Sequence, residues 1–502
     1  MGSDTLVIRG CDALLATGEL RERVDLRIAG DRISAIDASG TRGQSSVTQQ
    51  SSSGRPGPQA REIDGRGLVA VPGLVNAHTH SPENCLRGSG TGLPLESWLA
   101  RMFGVAGPFS PQDHYACALA GAVEMLATGT TAVLDHLWGT PLTIDGAEAV
   151  LRAYREAGIR AAIAPLVADV DFTGALAARH GVDLSGALFT DLAGPIAPSE
   201  AVAQLDALVG RWHDRDGRRL QVFAGPGGVQ WCSDELLTGL AETAERHDTS
   251  LTMHLLETRL QDHVARERFG ASAVRGLERL GVLGPRCSFA HGVWIDPADL
   301  ELIASRGAVI VHNPAANLRL GSGRAAIPEM LSAGVKVALG SDGTASSDNA
   351  VIWTQLKLAS LVHNDFAADR WISPNQAVTM ATVGGAAVLG LPDSLGRLEP
   401  GALADIALVD RRGEGLAGAV DVEAGLVLSE TGRGVVHTIV AGEPVVIDGR
   451  CVRVDSEAVR AAVAEQAARR RAAGAEVPAP IRDAMDRLEG LKRLADAAMM
   501  DS

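Results

Sequence analysis

The chain has 502 residues, 46% of them hydrophobic, enough for one large folded core with a smaller unit beside it. Its 46 Lys+Arg against 61 Asp+Glu give a net charge of −15, which excludes a non-specific nucleic-acid binder, because phosphate contact needs a basic surface. Six cysteines with no Cys-x-x-Cys pair, a start without a secretory pattern and no apolar run of about 18 residues lead us to expect no thiolate zinc module, disulfide framework or membrane span, and a cytoplasmic enzyme.

TLVIRG, VDLRIAG and RISAID are short apolar or alternating runs between Gly and Asp turn signals, and read as strands. They form the N-terminal part of a small β domain, residues 1–66. Within it, about 38–60 is Ser/Gln/Gly/Pro-rich and predicts a flexible surface loop. From Gly67 to about 390, apolar runs such as LVAVPGLVNAH, TTAVLDH, RLQVFAGP, SLTMHLLE, CSFAH, GAVIVHN and VKVALGSD alternate with amphipathic stretches such as HYACALAGAVEMLATG and DELLTGLAETAERHD. Near-continuous apolar strands alternating with helices predict a parallel sheet covered on both faces, and this length suits an α/β fold of the (β/α)₈ TIM-barrel type. Short strands return over 391–455 (ADIALVD, GVVHTIVAG, EPVVIDG, CVRVD) and are expected to join the N-terminal ones in one small β-sandwich domain. Residues 456–502 are Ala/Arg/Glu-rich at helical spacing and predict a helical tail, its charge runs read as solvated faces.

Polar residues recur at the ends of the apolar runs: His78, His80, His136, His254, His291 and Asp342. In a parallel barrel these ends face one mouth, where active sites lie. Any one of them alone would be read as a hydrogen-bonded structural residue; the convergence is the signal. On a strand, His78 and His80 point to the same side, as two imidazoles sharing a divalent metal must. His254 can complete the shell, Asp342 can bind metal and accept a proton, and His291 can polarise a substrate group. Glu257, one turn past His254, can hold the attacking water.

The motifs PGLVNAHTH, LPLESWL, EMLATGTTAVLD, HLLET, AHGVWI, VIVHNPAANLRLGSG and GVKVALGSDGTASSDN, spread over about Val71 to Asn349, resemble the amidohydrolase superfamily. Within it they resemble the branch of cytosine/guanine deaminases, S-adenosylhomocysteine deaminases and triazine hydrolases. The resemblance implies that His78, His80, His254 and Asp342 bind one divalent metal, that Glu257 shuttles protons and that His291 contacts water or substrate. Three imidazoles and a carboxylate suit Zn²⁺, with Fe²⁺ or Mn²⁺ as alternatives. It also implies a small N-heterocyclic substrate, with Glu83 touching the ring, Trp98 as an aromatic wall, and His136 as a feature of some relatives; Arg87 is read as a brace for the loop. One departure stands out: GPGGVQWCS puts Gly227 where many relatives carry a substrate-contacting His, with Trp231 nearby to take over part of that wall. The expected reaction is hydrolytic deamination with release of ammonia, in a homodimer or larger homo-oligomer. The alternatives are a triazine-type hydrolase that displaces chloride or an alkylamine, and a non-catalytic scaffold paralogue.

Overall fold

The structure is a computed structural model that describes residues 5–15, 18–40, 61–139, 142–170, 196–365, 367–473 and 479–500. Residues 41–60 of the loop expected at 38–60 lie outside the described residues.

The first strands are β1 (Leu6–Leu14), β2 (Leu20–Ala29), β3 (Arg32–Ala38), β4 (Arg61–Asp64) and β5 (Leu68–Pro72). They meet β15 (Ile406–Asp410), β16 (Val435–Val440), β17 (Glu443–Ile447) and β18 (Arg450–Cys451) from the other end of the chain. Together they make one nine-stranded mixed sheet in the order β18-β17-β16-β15-β5-β1-β2-β3, with β4 beside β1, which fits the small β domain expected from both ends of the chain. The seam is the antiparallel pair β5–β15, with Val69 opposite Val409. β5 throughout, and β15 up to its terminal Asp410, are apolar because both faces are covered. Leu68, Ala70, Ile406 and Leu408 join the small domain's own core, while Val69, Val71, Ala407 and Val409 join the core of the neighbouring domain.

That domain is a parallel barrel. Its staves are β6 (Leu74–Thr79), β7 (Thr130–Leu137), β8 (Arg160–Val167), the interrupted pair β9 (Leu220–Val222) and β10 (Gly225–Pro226), β11 (Leu251–Leu255), β12 (Cys287–His291), β13 (Val309–His312) and β14 (Lys336–Leu339). Two parallel arcs, β6 to β10 and β11 to β14, are joined by the bridges Ala224–Leu251 and Gly228–His254. On the other side the Asp342 amide donates to the His78 carbonyl at 2.9 Å and closes the ring. The outer helices start where the sequence supplies N-caps: Ser110 closes a capping box on Pro111–Ala127, and Ser233 caps Asp234–Arg246.

Two features tie the parts together. At the start of β8, Arg160 grips Asp405 bidentately, at 3.0 and 3.1 Å, with both side chains no more than 2% exposed. The C-terminal helices, Ser456–Ala473 and Ala479–Met500, lie on the barrel side of the molecule. Ser97 donates to Glu489 at 2.9 Å, and Val463 and Ala467 pack on the cluster that contains Trp98 and Met102. Thus the tail supports the helix Leu95–Ala106. Among the described residues no helix is long and apolar enough to cross a membrane.

Candidate functional site

The strand-end residues converge at the C-terminal mouth of the barrel. His78, His254 and His291 lie in β6, β11 and β12; His80 follows β6 directly. Asp342 does not close its strand as expected but lies three residues past Leu339. Gly340 makes the difference: a Cβ there would come within 2.9 Å of the His78 Cβ and 2.4 Å of the Asn313 Oδ1, so only glycine lets the chain pass this close to β6. His291 and Asp342 both have left-handed backbone, φ +75° and +62°. Such conformations cost on the order of 1–3 kcal/mol each in a non-glycine residue and persist only where the surroundings enforce them.

Hydrogen bonds select the tautomers of two rings. His80 Nδ1 donates to the His136 carbonyl at 2.6 Å, and His254 Nδ1 donates to the Gly227 carbonyl at 2.8 Å. Each Nε2 therefore carries a lone pair, and the two Nε2 atoms face each other at 3.2 Å. Lone pairs so placed repel unless a cation lies between them. Two nitrogens bound to one tetrahedral Zn²⁺ at about 2.05 Å stand roughly 3.3 Å apart. Asp342 Oδ1 lies 3.3 Å from His80 Nε2 and 3.7 Å from His78 Nε2. Neither nitrogen of the fully buried His78 ring has a hydrogen-bond partner. Burial, reinforced by the neighbouring rings, pushes the His78 and His254 pKa values well down, which keeps both in the neutral, ligating form. Two overlapping triads, His78–His80–His254 and His78–His291–Asp342, each bring their donor atoms within 4.8 Å of one another. This is a histidine-rich metal site.

Beside it sits a proton-handling pair. Glu257 is buried, and burial pushes its carboxyl pKa up to about 7. Its Oε2 is 3.6 Å from His291 Nε2, and its Oε1 accepts from Ser322 Oγ at 2.9 Å. His291 Nδ1 donates to Asn317 Oδ1 at 2.8 Å, leaving Nε2 to face the carboxyl.

The cavity above these groups has a polar floor of His80, Glu83, Glu257, His291 and Asp342. Its walls are apolar: Leu95, Trp98 and Met102 from one helix, with Trp138, Leu166 and Trp231 around them. Glu83 and Trp98 thus line the cavity. Burial raises the Glu83 pKa to about 7, and its Oε2 accepts from the Ala345 amide at 2.9 Å. His136 does not line the cavity: its Nε2 donates to the Gly225 carbonyl at 3.2 Å, and its ring stacks behind His254. Arg87 braces its loop by pairing with Glu124 at 2.7 Å.

The model of the Amidohydrolase family matches residues 69–445. The chain belongs to this family. It is 36% identical over 406 residues to the 5-methylthioadenosine/S-adenosylhomocysteine deaminase of Nitratidesulfovibrio vulgaris, covering 80% of this chain and 85% of that one. It is 31% identical over 399 residues to the 5'-deoxyadenosine deaminase of Methanosarcina mazei, covering 79% and 85%. Among solved structures, the zinc complex of atrazine chlorohydrolase from Arthrobacter aurescens TC1 superposes with a TM-score of 0.80 at 28% identity, covering 92% of this chain and 100% of that one.

Several residues of this amidohydrolase carry parts of the site that strand-end reasoning did not assign. Asn317 and Ser322 both lie within VIVHNPAANLRLGSG, so the motif was the signal, but their partners are 26 and 65 residues away. Gly343 makes room for Glu83: a Cβ there would lie 1.9 Å from the Glu83 Oε2. At Gly227, a Cβ would approach Trp231 Cε3 to 3.2 Å, so the indole already occupies the space beside that backbone.

Proposed function

We propose that this amidohydrolase is a zinc-dependent aminohydrolase that deaminates an adenine-type heterocycle. The reaction breaks the ring C–NH₂ bond, forms a C–O bond from water and releases ammonia. The observation that carries the reading is the Glu257–His291 pair, a carboxyl with its pKa near 7 set against the metal-ligand cluster on one cavity floor. We assign His78, His80, His254 and Asp342 as ligands of a single Zn²⁺. When bound there, the ion supplies Lewis acidity that lowers the pKa of water to about 7. Asp342 accepts a proton on its carboxylate. Glu257 holds a proton at Oε2, 3.6 Å from His291, and delivers it to the departing amino nitrogen. His291, locked by Asn317, presents Nε2 to the reacting carbon's substituents. Glu83 faces a ring nitrogen and Trp98 covers the ring; His136 acts through its carbonyl, by orienting His80.

The curated deaminases support the adenine-type substrate. The apolar walls and the likeness to a chlorohydrolase favour a second reading, displacement of chloride from a triazine. A non-catalytic scaffold has no use for a complete donor set. Ammonia and chloride release should be measured on 5′-methylthioadenosine, S-adenosylhomocysteine, 5′-deoxyadenosine and atrazine, with metal content determined on the same protein. Ammonia from a nucleoside and about one zinc per chain is the expected result. Chloride release without any ammonia would replace the deaminase reading, and a protein that neither holds nor regains zinc would overturn both.

A further inference from the structure

Away from the metal centre, one cavity gathers positive charge in a chain whose net charge is −15. It measures about 690 Å³, within the range of small-molecule sites, and lies between the loop 85–93 and the C-terminal helices. Four arginines line it, Arg87, Arg101, Arg470 and Arg471, and its described lining contains no carboxylate residue. Arg87 and Arg470 are compensated from outside, by Glu124 at 2.7 Å and Asp113 at 3.6 Å, and Arg470 also stands over the Phe109 ring. Arg101 and Arg471 have no carboxylate within ion-pair reach among the described residues, and they face the same space. The intervening turn, Gly88-Ser89-Gly90-Thr91, borders the cavity: Gly88 is exposed, with its amide donating to Asp348 Oδ1 at 3.1 Å outside the lining, while Gly90 is buried.

Two uncompensated cations sharing a cavity repel each other, and a multiply charged anion removes that repulsion. Guanidinium forks match pairs of oxyanion oxygens. We infer that this cavity is a second ligand site, which takes a small multiply charged oxyanion, either a phosphate ester or a polycarboxylate. The site touches the reaction through its walls. Arg101 belongs to the helix Leu95–Ala106, whose Leu95, Trp98 and Met102 line the substrate cavity. Gly90 abuts the same Trp98, since a Cβ there would lie 2.5 Å from its Cδ1. An anion held between Arg101 and Arg471 links this helix to the C-terminal tail and restrains the substrate wall.

Calorimetric titration of the full-length, zinc-loaded protein tests this without reference to its activity. The probes are fructose 1,6-bisphosphate and propane-1,2,3-tricarboxylate, titrated separately. One saturable site per chain is expected for at least one probe. Binding should weaken at least tenfold in Arg101→Gln, in Arg471→Gln or in both, and stay within twofold in Arg275→Gln, whose guanidinium pairs with Asp299 elsewhere. Preference for the bisphosphate identifies a phosphate ester as the natural class, and preference for the tricarboxylate identifies a polycarboxylate. Unchanged thermal midpoints and zinc content show that the variants are folded. If neither probe saturates, or if binding survives both cavity substitutions because the anion sits at the metal centre, the second site does not exist.

Discussion

Asn317 makes the most discriminating single substitution in the site. Its Oδ1 accepts the Nδ1–H of His291 at 2.8 Å, with both residues 1% exposed, and this bond leaves Nε2 facing Glu257. Asn317→Ala either strands a buried N–H or frees the ring to take the other tautomer. A buried hydrogen bond lost in this way costs about 1–3 kcal/mol. Expressed wholly in the transition state, that is a fall in kcat of about 5- to 150-fold. Asn317 does not line the cavity, so KM should change less than about twofold, the signature of an interaction made only in the transition state. Zinc content should stay at the parent level, because the bond serves His291 and not the facing Nε2 atoms of His80 and His254. Asn317→Asp keeps an acceptor in place and should recover part of the loss. Steady-state kinetics on the best substrate, with metal analysis of the same samples, makes the measurement. A kcat within twofold of the parent, or zinc loss as severe as that of a ligand variant, refutes the role given to this bond.

Glu257→Gln should retain zinc and fold while kcat falls by about 10²–10⁴, whereas His254→Ala should lower the zinc stoichiometry itself; metal analysis beside single-turnover rates separates the two. Glu96 is buried, accepts from Thr258 at 2.6 Å on one oxygen and has no partner on the other, and burial raises its pKa. A raised folded-state pKa favours the folded protein below the ordinary carboxylate value and loses that benefit as pH rises through the folded value. Glu96→Gln should therefore be more stable than the parent at pH 8, with the gap closing below about pH 4 in denaturant titrations. Asp405→Ala strands the buried Arg160 charge and should cost about 3–5 kcal/mol. At about 2.1 cal/mol/K of unfolding entropy per residue, this is a fall in thermal midpoint of about 3–5 °C by calorimetry.

The sequence made the strand-end chemistry legible because two periodicities coincide there. An apolar run that ends in a polar residue marks where a parallel stave leaves the core, and the barrel brings all such ends to one mouth, so His78, His80, His254 and His291 stand together as expected. Side chains that act through another residue were harder to read. The motif VIVHNPAANLRLGSG marks the segment that holds Asn317 and Ser322, but it does not single them out from its other polar residues, and their significance lies in partners reached through the fold. Asp405 looks like an ordinary turn residue until Arg160, 245 residues earlier, is seen against it. His136 shows the converse: it occupies a strand end and the ring cluster, yet its backbone carbonyl, a group no sequence pattern displays, makes the contact with His80. The helical tail was legible as helix, but its seat against Leu95–Ala106 was not, because alanine-rich faces fit many surfaces.

The antiparallel seam between β5 and β15 also bears on how the chain is made. Val69 leaves the ribosome early, and its partner Val409 leaves only after the whole barrel has been synthesised. Until then, β5 presents an apolar strand with one unfilled edge, the kind of surface that recruits strands from other chains. Closing so long a loop places this pairing among the slow, non-local events of folding. Conditions that lengthen that wait should therefore lower the yield of folded enzyme even when the finished protein is stable, and chaperone demand should fall on nascent chains in which β1 to β5 are complete and β15 has not yet arrived.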